Sequence, residues 1–221
     1  RPYLAEDAFA LQAAGWSRAL RPLDSGWTIQ VPLDGNEARA REALTANWRH
    51  NLKRAEARSG AMRRWEGARP EEVMAVLREV EAYKNMPRQY AHSTEEVSSL
   101  LTSFGEDLLL WRSDDAAGKP VALRACAVYG SRAYDLLAGS TEEGRKLYSS
   151  YGLLWRLLSE SRSRGASEFD LGGVDPREPG VLNFKRGLGG RLVEHLGEWE
   201  WSSSAWLLWG ANLIIEARYR R

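Results

Sequence analysis

The sequence predicts a fold of the α+β class, on three observations. Helical patterns with capping residues fill the first part of the chain, and three alternating polar and apolar runs with short turns fill the middle. A long apolar helix pattern then precedes a further strand. Short turns join antiparallel strands, because a parallel crossover needs a dozen or more residues. An antiparallel meander with a central helix and a set of flanking helices is an α+β arrangement.

The first elements are predicted from capping residues. Residues 1–23 show no clear periodicity, and residues 26–31 predict a strand. Asn36 caps a helix predicted over 37–59, because its side chain accepts from amides that have no partner in the first helical turn. That helix carries an apolar stripe at helical spacing: Leu44, Trp48, Leu52 and Ala55.

Two further helices precede the meander. Pro70 is suited to the first position of a helix predicted over 71–83. Ser93 with Glu96 forms a capping-box pattern, which predicts a third helix that ends near Phe104.

The meander consists of three predicted strands, over 107–112, 120–129 and 133–138, joined by turns at 114–118 and 130–131. A helix predicted over 149–164 follows. Its apolar face is formed by four leucines, Leu153, Leu154, Leu157 and Leu158.

The segment after this helix places charged residues beside glycines. A strand predicted over 167–171 leads into Gly172 and Gly173, which permit a sharp turn or a close approach to a ligand. A helix predicted over 181–188 ends in a glycine-rich stop. A strand over 191–201 and a helix over 205–215 complete the chain.

The composition is that of an ordinary soluble domain, with 43% hydrophobic and 28% charged residues among 221. The single cysteine, Cys126, lies in an apolar run and is interpreted as a buried, inert thiol. The three histidines, His50, His92 and His195, have no ligand spacing, so we predict neither a metal site nor a zinc-dependent reaction.

The C-terminal helix has two interpretations. Its apolar run of eleven residues is shorter than the roughly 20 residues that span a bilayer. Tryptophans at its beginning and arginines at its end are compatible with a helix that rests on a membrane surface. The interpretation that we favour is a helix that packs on protein, including a domain that precedes this chain.

Basic residues concentrate in one part of the chain. Residues 39–64 contain eight Lys or Arg and two acids, whereas the whole chain has a net charge of +1. Within this stretch Arg49, Asn51, Lys53 and Arg54 are candidates to bind phosphate of a tRNA or of a nucleotide- or lipid-linked precursor. The alternative is a solvated helix face, on which the spacing between Lys53 and Glu56 permits pairing only at i, i+3.

Two motifs resemble the Fem family of aminoacyl-tRNA-dependent peptidyl transferases. Residues 170–175 read D-L-G-G-V-D and residues 180–199 read G-V-L-N-F-K-R-G-L-G-G-R-L-V-E-H-L-G-E-W, while residues 47–56 read N-W-R-H-N-L-K-R-A-E. The resemblance implies an acetyltransferase-like (GNAT) domain over 35–201, the second of the family's two domains. Residues 1–34 would be a remnant or linker of the first domain, and 202–221 an amphipathic C-terminal helix.

The resemblance also implies roles for residues near the double glycine. Lys185 is the candidate for the cation that stabilises a tetrahedral intermediate, and Phe184 for a platform on which the terminal adenine of tRNA stacks. Arg186, Asp170 and Asp175 are candidates for substrate binding. The two carboxylates have a second interpretation, as acceptors that fix the loop backbone.

The loop before the central helix bears on the acyl donor. Acetyltransferases of this fold hold coenzyme A pyrophosphate on compact glycines, whereas residues 143–152 read E-G-R-K-L-Y-S-S-Y-G. Arg145 and Lys146 are candidates for binding tRNA phosphates there, with solvated loop charges as the alternative. Arg88 and Tyr90 match an arginine-before-aromatic feature of the family weakly.

The function that the resemblance implies is transfer of an amino acid from aminoacyl-tRNA to an amine acceptor, a peptidoglycan precursor peptide, without a metal or an organic cofactor. Such an enzyme works in the cytoplasm or at the inner face of the membrane. Two alternatives stay open: an acyl-coenzyme A-dependent N-acyltransferase of cell-envelope polysaccharide assembly, and a binding domain without catalytic activity.

Overall fold

The structure, a computed structural model, describes residues 3–20, 22, 25–58, 61–85, 91–175 and 178–219, with the side chains of 218 and 219 left out. Its helices are α1 Ala5–Ala13, α2 Glu37–Ala43, α3 Ala46–Arg58, α4 Pro70–Lys84, α5 Thr94–Phe104, α6 Glu142–Lys146, α7 Ser149–Ser163, α8 Pro179–Arg186 and α9 Ala205–Tyr219. Its strands are β1 Ser17–Arg18, β2 Trp27–Pro32, β3 Met62–Arg64, β4 Leu108–Asp114, β5 Pro120–Tyr129, β6 Arg132–Ser140, β7 Glu168–Gly173, β8 Arg191–Glu194 and β9 Trp199–Glu200.

The chain divides into two compact units. The larger unit consists of Val31–Leu171 and Gly187–Gly190. The smaller unit consists of Arg1–Gln30, Gly172–Arg186 and Arg191–Arg221. Strands β2 and β7 each begin in one unit and end in the other.

The predicted meander is confirmed in the larger unit. Strands β3, β4, β5 and β6 pair antiparallel in that order, and β6 pairs with β7 in parallel. The sheet residues alternate between two helical layers. Leu108 and Leu110 of β4 join the apolar cluster of α4 and α5, whereas Trp111 and Ser113 contact Glu160 and Ser149 of α7. This mixture of helices and a largely antiparallel sheet is the predicted α+β, GNAT-like class.

Helix α7 is the central element of the core. The four leucines predicted to form its apolar face are at most 3% exposed. The interior also holds an ion pair between Arg124 of β5 and Asp135 of β6, with two hydrogen bonds and side chains less than a tenth exposed. A bidentate pair satisfies both charges, which an isolated buried charge would not allow.

The helix predicted over 37–59 is in fact two helices, α2 and α3, so that prediction was wrong. Leu44 leaves the helical conformation, with ψ 142°, and the Thr45 hydroxyl accepts from the Trp48 amide at 3.4 Å to begin α3. Arg49 then donates to the carbonyls of Glu42 and Leu44. These contacts satisfy carbonyls that the break leaves without helical donors. The predicted apolar stripe is confirmed, because each of its four residues is at most 3% exposed.

The strand predicted over 191–201 is also interrupted. β8 pairs with β2 and β9 pairs with β1, both antiparallel. Between them the His195 amide donates to the Gly26 carbonyl at 2.7 Å, and Gly197 takes a positive φ of 77°. A positive φ turns the chain out of the extended path, which explains the break.

Four short or weakly patterned elements were not predicted, among them the two-residue strand β1. Helix α1 buries only Ala8, so its apolar residues form no stripe. Strand β3 and helix α6 have three and five residues, which is too short for a periodicity to be read. Helix α9 lies within the C-terminal helix predicted over 202–221, and it extends beyond the apolar run at 205–215 to Tyr219.

Helix α9 shows an apolar face to water. Trp206 is 81% exposed and Ile214 is 70% exposed. The same face includes Leu207, Trp209 and Leu213, which are also exposed. None of the described helices is both long enough and apolar enough to cross a membrane.

Gly144 of α6 provides a test of the packing. A Cβ there would clash with the Val121 carbonyl oxygen, which already accepts from the amide and hydroxyl of Thr141. We therefore expect Gly144→Ala to lower the free energy of unfolding by about 1–3 kcal/mol, the usual cost of overpacking, in urea denaturation. Gly152→Ala is the comparison, because its Cβ would chiefly meet the flexible end of Met62. A loss for Gly152→Ala as large as that for Gly144→Ala would contradict this account.

Cys126 provides a second test. Burial raises the pKa of its thiol to about 12, and the Ser161 hydroxyl 3.5 Å away offsets this only in part. Since the thiolate is the reactive form, we expect the native protein to resist a thiol reagent at pH 8 and the urea-unfolded protein to react at once. Rapid labelling of the native protein would show that the thiol is accessible, contrary to its position in β5.

Candidate functional site

The double glycine forms a turn at the end of β7 in the smaller unit. Gly172 has φ +70°, a conformation that residues with a side chain rarely adopt. The Val174 amide donates to the Trp27 carbonyl at 2.9 Å, and Val174 is 2% exposed. The turn is therefore attached to the beginning of β2.

Lys185 reaches this turn from α8. Its Nζ donates to the Gly173 carbonyl at 2.7 Å and to the Gly172 carbonyl at 3.3 Å. The side chain is half-buried. These contacts hold a positive charge at one position beside a strand end. The sequence analysis selected Lys185 and the glycines separately, and the structure joins them.

The neighbouring candidates differ in exposure. On α8, Phe184 is half-buried and Arg186 is exposed. Asp175 is half-buried in the loop before the helix, where its carbonyl accepts from the Glu178 amide at 2.9 Å. The smaller unit thus groups Lys185, Phe184, Asp175 and Arg186 around one turn and one short helix.

Asp170 belongs to the larger unit. It lies on β7 opposite Tyr134 of β6, where the two strands run parallel, and it is 7% exposed. A residue this buried is surrounded by protein atoms and has little contact with solvent. The interpretation of Asp170 as a backbone acceptor and its interpretation as a substrate ligand both stay predictions.

The predicted phosphate ligands on the basic helix α3 differ in their exposure and in their hydrogen bonds. Arg49 is occupied with the carbonyls at the end of α2, as described above. Asn51 is 8% exposed and its amide donates to Asn47 Oδ1 at 3.4 Å, whereas Lys53 is exposed. Arg49 and Lys53 are both exposed, so each has the solvent access that a phosphate ligand needs, although Arg49 also donates to backbone carbonyls.

Tyr148 is a functional candidate that the sequence analysis did not select. It has φ +58° at the start of α7, and Arg54 Nη1 donates to its hydroxyl at 2.7 Å. The guanidinium carbons of Arg54 and Arg58 lie 5.2 and 5.7 Å from its ring centre. The spacing of the two arginines, one helical turn apart, is the signal that would have indicated a shared partner.

Arg145 and Lys146 lie on α6 and are both exposed. Arg145 Nη1 lies 3.5 Å from the Tyr83 hydroxyl. Lys146 Nζ lies 3.2 Å from Glu142, and this hydrogen bond raises the pKa of Lys146. Ion pairs at such exposure contribute little, so both cations can exchange their partners for phosphate.

The backbone amides around α6 are largely engaged within the chain. The amides of Arg145, Leu147, Tyr148 and Tyr151 donate to backbone carbonyls at 3.0–3.1 Å. The Gly144 amide donates to the Thr141 hydroxyl. A pyrophosphate cradle requires amides that point at the ligand, and this loop commits these five to its own structure.

A polar cleft of about 270 Å³ opens in the larger unit beside α7. Arg41 crosses it, 3.1 Å from Glu37 and 2.6 Å from Glu56. Burial alone would raise the pKa of Glu37, but hydrogen bonds from Arg41 and Trp155 outweigh it, so the pKa is lowered. Glu56 pairs with Arg41, which is 15 residues away in the sequence. Nothing in the local spacing indicated this contact.

The other candidates from the sequence are an arginine and a tyrosine, Arg88 and Tyr90, and the histidines. Arg88 and Tyr90 lie outside the described residues. His50 is exposed, and His92 Nδ1 lies 3.2 Å from Glu81. Within the described part of the chain, no three His, Cys, Asp or Glu residues come together as a group that could hold a metal ion.

The fold is similar to that of several solved structures. The structure of FemX aligns with TM-score 0.74 and 14% identity, over 87% of this chain and 67% of that one. L-PGS from Bacillus licheniformis aligns with TM-score 0.57 and 14% identity, over 98% of this chain and 71% of that one. A GCN5-related N-acetyltransferase from Sphaerobacter thermophilus aligns with TM-score 0.52 and 13% identity, over 86% of this chain and 53% of that one.

At these identities the likeness establishes the fold alone. The chain spans between about half and somewhat more than two thirds of the length of the three structures. No curated protein matches the sequence. The FemAB family, by contrast, matches residues 43–215. Because this match covers well over half of the 221 residues, the chain belongs to the FemAB family.

Proposed function

We propose that this protein is an aminoacyltransferase, which moves an amino acid from aminoacyl-tRNA to an amine acceptor. Membership of the FemAB family supports acyl transfer as the reaction class. The observation that carries the proposal is the Lys185 ammonium, held 2.7 Å from the Gly173 carbonyl at the end of β7. A positive charge fixed before the reaction begins needs no reorganisation to stabilise an oxyanion.

The reaction follows from the chemistry of the donor. A neutral amine attacks the ester carbonyl, a C–N bond forms, and the carbonyl oxygen becomes negative in the tetrahedral intermediate. The C–O bond then breaks, and the terminal adenosine of the tRNA leaves with a hydroxyl that receives the amine proton. The ester is already activated, so the enzyme supplies alignment and charge stabilisation. Lys185 stabilises the oxyanion in this scheme.

The surrounding residues bind the tRNA end. Phe184, next to Lys185 on α8 and half-buried, offers a face for the terminal adenine, since bases stack on aromatic side chains. Arg186 is exposed at the end of the same helix and binds phosphate. Asp175 binds the amino group of the donor or of the acceptor.

The larger unit has its own candidates to bind phosphate. Lys53, Arg145 and Lys146 are exposed cations, and Arg49 and Asn51 support the helix that carries Lys53. The acceptor is a peptidoglycan precursor peptide, so the reaction takes place in the cytoplasm or at the inner face of the membrane. Asp170, Arg88 and Tyr90 stay predicted substrate ligands.

Lys185→Met tests the proposal directly. Removal of one oxyanion-stabilising group costs about 10²–10³-fold in rate. We expect Lys185→Met to slow single-turnover transfer from aminoacyl-tRNA to a peptidoglycan precursor by about 100-fold or more, with a much smaller effect on tRNA affinity. Lys119→Met is the charge-matched control, because Lys119 is exposed and its ammonium pairs with surface Glu79. Equal rates for the two variants would exclude Lys185 from catalysis.

The acyl donor is tested by binding. We expect charged tRNA to change the tryptophan fluorescence of the protein, with an affinity that falls steeply as salt rises, because phosphate contacts release counterions. We expect acetyl-coenzyme A to produce no response at submillimolar concentration, since five amides of the loop at 144–151 have internal partners. The opposite pattern would replace the proposal with an acyl-coenzyme A-dependent transferase.

A further inference from the structure

Thr28 of β2 contacts the same carbonyl as Lys185. Its Oγ1 donates to the Gly172 carbonyl at 2.9 Å, and Lys185 Nζ donates to that carbonyl at 3.3 Å. A backbone carbonyl has two lone pairs and can accept both bonds. The threonine and the lysine are 157 positions apart in the sequence, and one peptide group connects them.

The environment of Thr28 fixes this contact. The residue is 1% exposed, so its hydroxyl lies away from water and needs a partner within the protein. Its strand pairs with β8, where Thr28 lies opposite Val193, and its neighbour Ile29 is fully buried. The hydroxyl is therefore attached to a rigid strand rather than to a loop.

The acceptor is the part of the site that most needs support. Gly172 has φ +70°, and a glycine peptide in this region has few steric restraints on its orientation. Thr28 and the Trp27 carbonyl, which accepts from the Val174 amide at 2.9 Å, hold the turn from the β2 side. Lys185 contacts it from α8. If the Gly172 peptide rotates, the ammonium loses one of its two carbonyl acceptors.

We propose that the Thr28 hydroxyl positions the Lys185 ammonium through the Gly172 carbonyl that they share. The role of this positioning in transfer rests on the proposed function, whereas the positioning itself does not. Thr28 touches neither substrate nor reacting atoms in this scheme. It acts by setting the direction of the Gly172 peptide, and the ammonium then lies where the oxyanion forms.

Two matched pairs of side chains isolate the hydroxyl. Thr28→Val replaces it with a methyl group of similar volume. Thr28→Ser keeps it without the methyl group, and Thr28→Ala removes both. The wild type and Thr28→Val therefore differ chiefly in the hydroxyl, and so do Thr28→Ser and Thr28→Ala. If Thr28→Val does not fold, the comparison of Thr28→Ser with Thr28→Ala still shows whether the hydroxyl positions Lys185.

The first readout is the reactivity of Lys185. The full chain is treated with an acetyl N-hydroxysuccinimide ester at pH 8, and acetylation of Lys185 is measured by peptide mass spectrometry, with Lys119 as the internal reference. An ammonium held by carbonyls reacts slowly, because acylation requires a free amine. Loss of one hydrogen bond corresponds to about a fivefold change in an equilibrium constant. We therefore expect Lys185 to be acetylated about fivefold faster in Thr28→Val and Thr28→Ala than in the wild type, and at the wild-type rate in Thr28→Ser.

The second readout is transfer. We expect kcat to fall about fivefold in the valine and alanine variants with an unchanged KM for aminoacyl-tRNA, and to recover in Thr28→Ser. Equal Lys185 acetylation in all four proteins, or a serine variant that behaves like alanine, would overturn the proposal. If the wild type transfers from no aminoacyl-tRNA, the proposed function fails, while the acetylation series still decides whether Thr28 positions Lys185.

Discussion

The hydrogen bonds from Lys185 to the carbonyls of Gly172 and Gly173 connect the parts of the smaller unit that carry its chemistry. They involve a strand that ends in a glycine of positive φ, a turn attached to β2, and a short helix that begins at Pro179 and carries the lysine. A larger residue at 172 would have to adopt a positive φ, which strains any backbone with a Cβ. The position of the Lys185 ammonium therefore depends first on the backbone conformation at residue 172, and only then on which side chains surround it.

The sequence predicted those elements that bury a continuous apolar face. Strand β5 begins and ends where alternation predicted, and α7 differs from its prediction by one residue at the C-terminus. The errors occurred where a single local contact outweighs the pattern. The apolar stripe continues across the break between α2 and α3. Leu44 and Trp48 both stay buried, although the backbone of Leu44 is extended. Periodicity reports burial, and it does not report which residue leaves the helix.

The candidate site was predictable only in part. Lys185 was found through a motif, whereas its acceptors are backbone carbonyls, which have no sequence signature. Thr28 and Gly172 are separated by 144 positions, and no local spacing relates them. Tyr148 was overlooked for a similar reason: its partners Arg54 and Arg58 lie on another helix. Contacts of this kind are set by the arrangement of strands and helices within each unit, which the sequence patterns describe only as a class.

The apolar face of α9 has a practical consequence for anyone who handles the protein. Trp206, Leu207, Trp209, Leu213 and Ile214 present neighbouring aromatic and aliphatic side chains to water, and contiguous apolar surface promotes aggregation. Sulfate and phosphate salts strengthen the burial of such surface. Concentrated stocks in these buffers are therefore expected to scatter light and to lose material on storage, and chloride buffers at low protein concentration will preserve the dispersed chain better.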